Sequence, residues 1–213
     1  MTALVVLENS RPDDVVTVST AASQEKGKLL GLHKGDRFTV ADLLAATLMQ
    51  SANDASRALA DHVGKSESQF VAMMNRRAAK LGLRDTHFAN ASGHDHPQLY
   101  STANDLSLLA KTFFAHPFPA KLGRTVKMSI TSSDNKRTFT FENKNELLGR
   151  YRGIVNGKTG TTNKAGKCLI AVAERDGTRV MLVLLGARER WWNAEKMLDQ
   201  AFASTKKRIT ARP

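Results

Sequence analysis

One cysteine in the whole chain, Cys168, excludes an internal disulfide and any cysteine-rich metal centre. Its neighbours Leu169, Ile170, Ala171 and Val172 read as a buried strand, which predicts a packed core thiol. No apolar run approaches the length of a membrane span, and the opening residues lack the basic flank and cleavage site of a signal peptide. There is no internal repeat and no low-complexity block. Histidine offers little chemistry: His94-Asp95-His96 lacks a third and fourth metal ligand and reads as a solvated loop before Pro97. No metal or cofactor is expected.

What is plentiful is positive charge. The 213 residues carry a formal net charge of +12, with 41% hydrophobic and 24% charged residues, the balance of a globular domain with a polyanionic partner in reach. Lys and Arg are spread along the chain, clustering only at Lys206, Lys207, Arg208 and Arg212, and no aromatic residues interleave with them. Nucleic acid is therefore not expected as the partner. The predicted organisation is a domain over 1–204 and a basic tail over 205–213.

Periodicity divides the domain. Thr2 to Glu8 is apolar with no capping residue ahead of it and reads as the back half of a helix. Val15 to Val18 is a short strand. Three hydroxyl-started signals, Thr39 with Asp42, Ser66 with Gln69 and Thr102 with Asp105, announce further helices, the second closing at Gly82 and the third limited by Pro117. From Ile154 the period becomes two: Ile154 to Thr161, Lys167 to Glu174 and Arg179 to Gly186 are predicted strands, the latter pair joined by a turn at Asp176-Gly177. A last helix presents Ala194, Met197, Leu198, Ala201 and Phe202 on one face. Helices first and antiparallel strands later imply an α+β fold, a helical cluster packed on an antiparallel sheet. Val180 to Leu185 is apolar without alternation, as in a strand covered on both faces and flanked by neighbours. Because only a helix follows it, a pairing strand is expected to be missing.

Two short motifs carry the candidate chemistry, Ser51-Ala52-Asn53 between helices and Lys158-Thr159-Gly160 on a strand. Alone, each is explained by a helix junction or a strand entering a turn. In this order, and with Asp54-Ala55, Met74-Asn75, Lys80-Leu81-Gly82-Leu83, Thr86-His87-Phe88, Gly93, Tyr100-Ser101-Thr102-Ala103, Asp105, Asn145, Leu147-Leu148, Gly157, Ala165-Gly166 and Cys168-Leu169, the chain resembles the serine D-alanyl-D-alanine carboxypeptidases, the low-molecular-mass penicillin-binding proteins of β-lactamase/transpeptidase-like fold. The resemblance implies an acyl-serine peptidase of peptidoglycan remodelling that acts on stem peptides, binds β-lactams and works in the periplasm or elsewhere outside the cytoplasm, with peripheral membrane association of the full-length protein.

It also implies roles. Ser51 relays a proton to the leaving amine, Asn53 orients the base and the substrate amide, and Lys158 supplies positive potential. Thr159 binds the substrate carboxylate within the Lys158-Thr159-Gly160 strand motif, and the Thr161 amide forms half of the oxyanion hole. The family's Ser-x-x-Lys motif has no counterpart. In the family a hydrophobic residue and Met-Thr-Ala follow that motif, so the nucleophile, the start of its helix and the strands before it are expected upstream of Met1-Thr2-Ala3, leaving this chain inactive. Ser23 with Lys26, Ser133 with Lys136 and Ser204 with Lys207 share the spacing, but none opens an apolar helix. No Glu-x-x-x-Asn segment of the class A β-lactamase kind lies between the motifs. The alternative functions are a non-catalytic peptidoglycan- or partner-binding module and, behind it, a basic nucleic-acid-binding protein.

Overall fold

In the computed structural model the backbone is described for residues 1–210 and side chains for residues 1–205. The predicted tail therefore falls on the end of the last helix and, at 211–213, outside the described residues.

Helix α1 (Thr2–Asn9) buries Ala3, Leu4, Val5 and Val6 and runs through the middle of the helical cluster. Strands β1 (Val15–Thr17) and β2 (Arg37–Thr39) form a small antiparallel pair, and α2 (Thr20–Ser23) lies between them. The three hydroxyl signals are real caps. Thr39 forms a capping box with Asp42 at the start of α3 (Val40–Ala45), Ser66 accepts from Gln69 N at α5 (Glu67–Lys80), and Thr102 accepts from Asp105 N at α6 (Ala103–Phe114). Between them, α4 (Asn53–Gly64) buries Ala55, Ala58, Leu59 and Ala60. Pro117 opens the short helix α7 (Pro117–Leu122) rather than merely ending the helix before it.

A hairpin of β3 (Lys127–Thr131) and β4 (Thr138–Glu142) follows, absent from the sequence reading because only Ile130 and Phe141 of its ten residues are buried, with Met128 and Phe139 partly covered and the other six polar. The main sheet is antiparallel in the order β5 (Ile154–Thr162), β6 (Gly166–Arg175), β7 (Thr178–Leu184). Asp176 and Gly177 both have positive φ, 50° and 74°, as the tight β6–β7 turn requires. Helix α8 (Arg190–Thr210) packs Ala194 and Leu198 against this sheet, with Trp191 and Phe202 at the margin. Among the described residues no helix is long and apolar enough to cross a membrane.

Two expectations need correction, at Cys168 and Met197. Cys168 is half-buried and its thiol faces the Ala165 carbonyl, so it is not a core thiol; it sits opposite Gly160, where a small neighbour leaves it open. Among the described residues β7 pairs with β6 alone, which leaves its other edge unpaired, and of its apolar run Leu182 alone is buried while Leu185 is 43% exposed. Met197 lies off the buried stripe of α8, 44% exposed.

Buried side chains divide into two clusters. The larger gathers helices α1 to α7, the β1–β2 pair, and Ile130 and Phe141; the smaller gathers Leu147, Tyr151, the main sheet and α8. The candidate residues lie where the two meet.

Candidate active site

A wide π turn, Ala46–Gln50, continues α3 and ends at Ser51, whose backbone is left-handed at φ 59°, ψ 44°. Ala52 N donates back to Ala46 O at 3.2 Å, so the chain leaves the turn abruptly and begins α4 at Asn53. Such turns and left-handed non-glycine residues cost free energy and concentrate at functional sites. Here the distortion aims the Ser51 side chain at β5. If so, Ser51→Gly is expected to be more stable than Ser51→Ala by about 1 kcal/mol, the reverse of their order inside a helix, since both lose the hydroxyl and only glycine relieves the backbone. Urea unfolding of the two variants measures it.

On β5, Lys158 stands opposite Ile170 of β6 and projects into the seam between the clusters. Its Nζ donates to Ser51 Oγ, from 107 residues away, and to Thr159 O at 2.6 Å. Desolvation, then the charges of Lys28 and Arg190, lower its pKa from 10.5 to about 8. Ser51, Asn53 and Lys158 line one cavity of about 260 Å³ with Thr2, Ser92 and Ile170. Thr159, Gly160 and Thr161 are not among its lining residues; they continue the strand at the rim. Alternation turns Thr161 to the α8 side, where Arg190 Nη1 donates to Thr161 Oγ1 at 3.0 Å and to Gly160 O at 3.1 Å.

Arg190 was missed from sequence, although a signal existed: it is the first residue of α8, where the helix dipole disfavours a cation unless the cation is engaged elsewhere. The contacts of the loop at 93–96 were not anticipated either. His94 Nε2 lies 3.2 Å from Asn53 Nδ2, and Asp95 accepts from Thr162 Oγ1 at 2.6 Å and from Lys164 N at 3.1 Å. The hydrogen bond from Thr162 is the main cause holding the Asp95 carboxyl below its ordinary pKa. The loop is solvated as expected, with Gly93, Asp95 and His96 exposed, but it is also fastened at His94 to Asn53 and at Asp95 to β5.

The remaining serine candidates lie apart. Ser23 donates to Thr20 O at the end of α2, Ser133 sits in the β3–β4 turn with its amide on Arg37 O, and Ser204 is on α8. None of the three lines the cavity. Asp54, buried at the start of α4, accepts from the backbone amides of Leu30, Gly31, Leu32 and Ala55 at 2.8 to 3.1 Å. It holds the loop that braces the start of α4, since Asn53 N donates to Lys28 O in that loop.

Comparison with known proteins agrees with this geometry. The D-alanyl-D-alanine carboxypeptidase DacF of Bacillus subtilis is 34% identical over 211 residues, covering 95% of this chain and 54% of the relative. DacC of Escherichia coli is 36% identical, covering 95% and 53%. The chain thus spans about half the length of these curated relatives. Among solved structures, a D-alanyl-D-alanine carboxypeptidase from Mycobacterium tuberculosis superposes with a TM-score of 0.88 at 32% identity, covering 95% of this chain and 78% of that one. The Streptomyces K15 DD-transpeptidase gives 0.88 at 31% identity, covering 95% and 84%. These likenesses place the helical cluster and antiparallel sheet in the penicillin-binding protein fold. With the family profile itself matching residues 1–189, the chain belongs to the D-alanyl-D-alanine carboxypeptidase family.

Proposed function

We propose that the cleft binds the D-alanyl-D-alanine terminus of peptidoglycan stem peptides, and β-lactams that resemble it, as the binding and proton-relay half of an acyl-serine peptidase acting outside the cytoplasm. The observation that carries this reading is the Lys158–Ser51 hydrogen bond at the mouth of a small cavity that Asn53 also lines. At about 260 Å³ the cavity is at the small end of ligand sites, suited to alanine-sized side chains.

In this reading the terminal carboxylate docks at the rim of β5, against the Thr159 hydroxyl and the positive potential of Lys158 and Arg190. Arg190 is the addition from structure, since its guanidinium donates to the Gly160 carbonyl and the Thr161 hydroxyl and brings charge to the same rim. The Thr161 amide donates to the scissile carbonyl oxygen as negative charge develops on it. Acyl transfer forms a bond from a nucleophilic oxygen to that carbonyl carbon, breaks its bond to the leaving nitrogen, and moves one proton from the first to the second. Ser51 Oγ, already bonded to the Lys158 ammonium, is the relay for that proton.

Two measurements test the reading. By calorimetry an acetylated tripeptide ending in D-Ala-D-Ala is expected to bind, and its C-terminal amide to bind at least tenfold more weakly, roughly the worth of one charged hydrogen bond. Equal binding of acid and amide would overturn the carboxylate assignment. A fluorescent penicillin is expected to bind reversibly and to leave on denaturation. A band that survives denaturation, and disappears in Ser51→Ala, would make Ser51 the nucleophile instead of the relay.

A further inference from the structure

We infer that Lys28 and Lys144 form a second anion subsite beside Ser51, one that selects stem peptides with a free side-chain carboxylate on the residue before the two D-alanines. The choice of ligand rests on the cleft being the D-alanine carboxylate site. The backbone brings both lysines to Ser51. Lys144 N donates to Met49 O at 3.0 Å, two residues before the serine, and Asn53 N, two residues after it, donates to Lys28 O at 2.8 Å. The π turn that aims Ser51 at β5 is thus braced on each side by one of these lysines. Lys158 reaches the same serine from β5, with Arg190 beyond it at Gly160 and Thr161.

Positive charge runs through this group without a break. Desolvation and then Lys144 lower the pKa of Lys28, just as desolvation and then Lys28 and Arg190 lower that of Lys158. Each cation in the series Lys144, Lys28, Lys158, Arg190 therefore feels the next. Among the described residues none of the four is in an ion pair, whereas Arg57, Arg77, Arg137 and Arg175 each are. The acids nearest Lys144 in sequence do not neutralise it: Glu142 stands opposite Lys127 in the β3–β4 ladder, and neither it nor Glu146 pairs with Lys144. On the Lys28 side, Glu25 is engaged by His94 and Arg57. Like charges gathered without a carboxylate among them cost stability, and an anionic ligand offsets that cost.

A single carboxylate does not use all of this charge. With the peptide terminus at the Lys158 and Arg190 end, Lys28 and Lys144 are left for another anionic group. D-alanine has only a methyl side chain, so the residue before the pair is the first in the ligand that can supply one. Two extended residues span about 7 Å, which keeps that side chain close to the flanks of Ser51 where both lysines are based. Lys28 and Lys144 are exposed, and substituting them leaves the buried clusters untouched.

Calorimetry with acetyl-Glu-D-Ala-D-Ala and acetyl-Gln-D-Ala-D-Ala isolates this subsite, because the two peptides share a terminus and differ in side-chain charge. The Glu peptide is expected to bind the wild-type protein about fivefold more tightly at low ionic strength, the worth of two exposed charge pairs, and to lose most of that advantage in high salt. In the double variant Lys28→Met, Lys144→Met the ratio of the two affinities is expected to fall to one, and in Lys28→Glu, Lys144→Glu to invert. Because the ratio is taken within each protein, a general loss of folding cancels from it. Equal binding of both peptides to the wild type, or a Glu preference that persists in the double methionine variant, overturns the inference. Binding of neither peptide is the failure of the carboxylate reading, and inorganic phosphate then tests the cations by themselves. A joint, saturable shift of the Lys28 and Lys144 side-chain carbon resonances with phosphate supports the anion subsite, and their silence removes it.

Discussion

Replacing Lys158 by methionine is expected to weaken binding of the D-Ala-D-Ala carboxylate about a hundredfold and, at neutral pH, to make the folded protein more stable. The first effect is loss of a partly desolvated charge pair with the ligand. The second follows from the pKa, which lies near 8 in the folded chain against an ordinary 10.5. Below pH 8 both folded and unfolded chains carry the proton, and burying the charge costs about 3 kcal/mol. Between pH 8 and 10.5 the unfolded chain binds more protons than the folded one, so stability rises with pH until the penalty has gone. Lys158→Met lacks both the penalty and its share of the slope. Urea unfolding of the two proteins at pH 7 and pH 10 checks the sign: the advantage of the variant should shrink toward the higher pH. Unchanged carboxylate affinity in Lys158→Met would remove this lysine from the site.

Asp54→Ala is expected to cost about 4 kcal/mol, the largest stability loss foreseen for a single side chain here. Its carboxylate is the acceptor for three consecutive loop amides, Leu30 to Leu32, as well as for Ala55 N. Truncation leaves buried donors without partners, at about 1–3 kcal/mol each, partly recovered as the loop relaxes into water. Asp54→Asn keeps one accepting oxygen and should lose about half as much. Because the loop carries the Lys28 carbonyl that receives Asn53 N, ligand affinity should fall with stability in both variants. Denaturant midpoints together with calorimetry test the pair, and a full loss of stability with intact affinity would separate the loop from the cleft.

Much of this was readable in the sequence because the signals are local. A hydroxyl followed three residues later by Asp or Gln marks a helix start by a hydrogen bond made within one turn, and Thr39, Ser66 and Thr102 all cap as expected. Asp176-Gly177 marks its hairpin for the same reason, since positive φ is a property of the dipeptide itself. The meeting of Ser51 with Lys158 was legible only through the order of motifs, and the structure supplies the contact. What escaped was decided by distant partners. Arg190 and His94 look like ordinary surface residues until β5 and Asn53 are brought beside them. The β3–β4 hairpin rests on two buried side chains, too few to imprint a period. Cys168 misled in the opposite direction, since an apolar stretch reports affinity for cover without saying how much cover the fold provides.

Ser51 belongs to the larger of the two buried clusters by its neighbours, and Lys158 to the smaller. Their bond therefore works as a latch between two bodies that each cohere by their own interior. Amide hydrogen exchange should resolve two tiers of protection, with the sheet and α8 opening first, and a bound peptide touching both sides should draw the slower and the faster tier together.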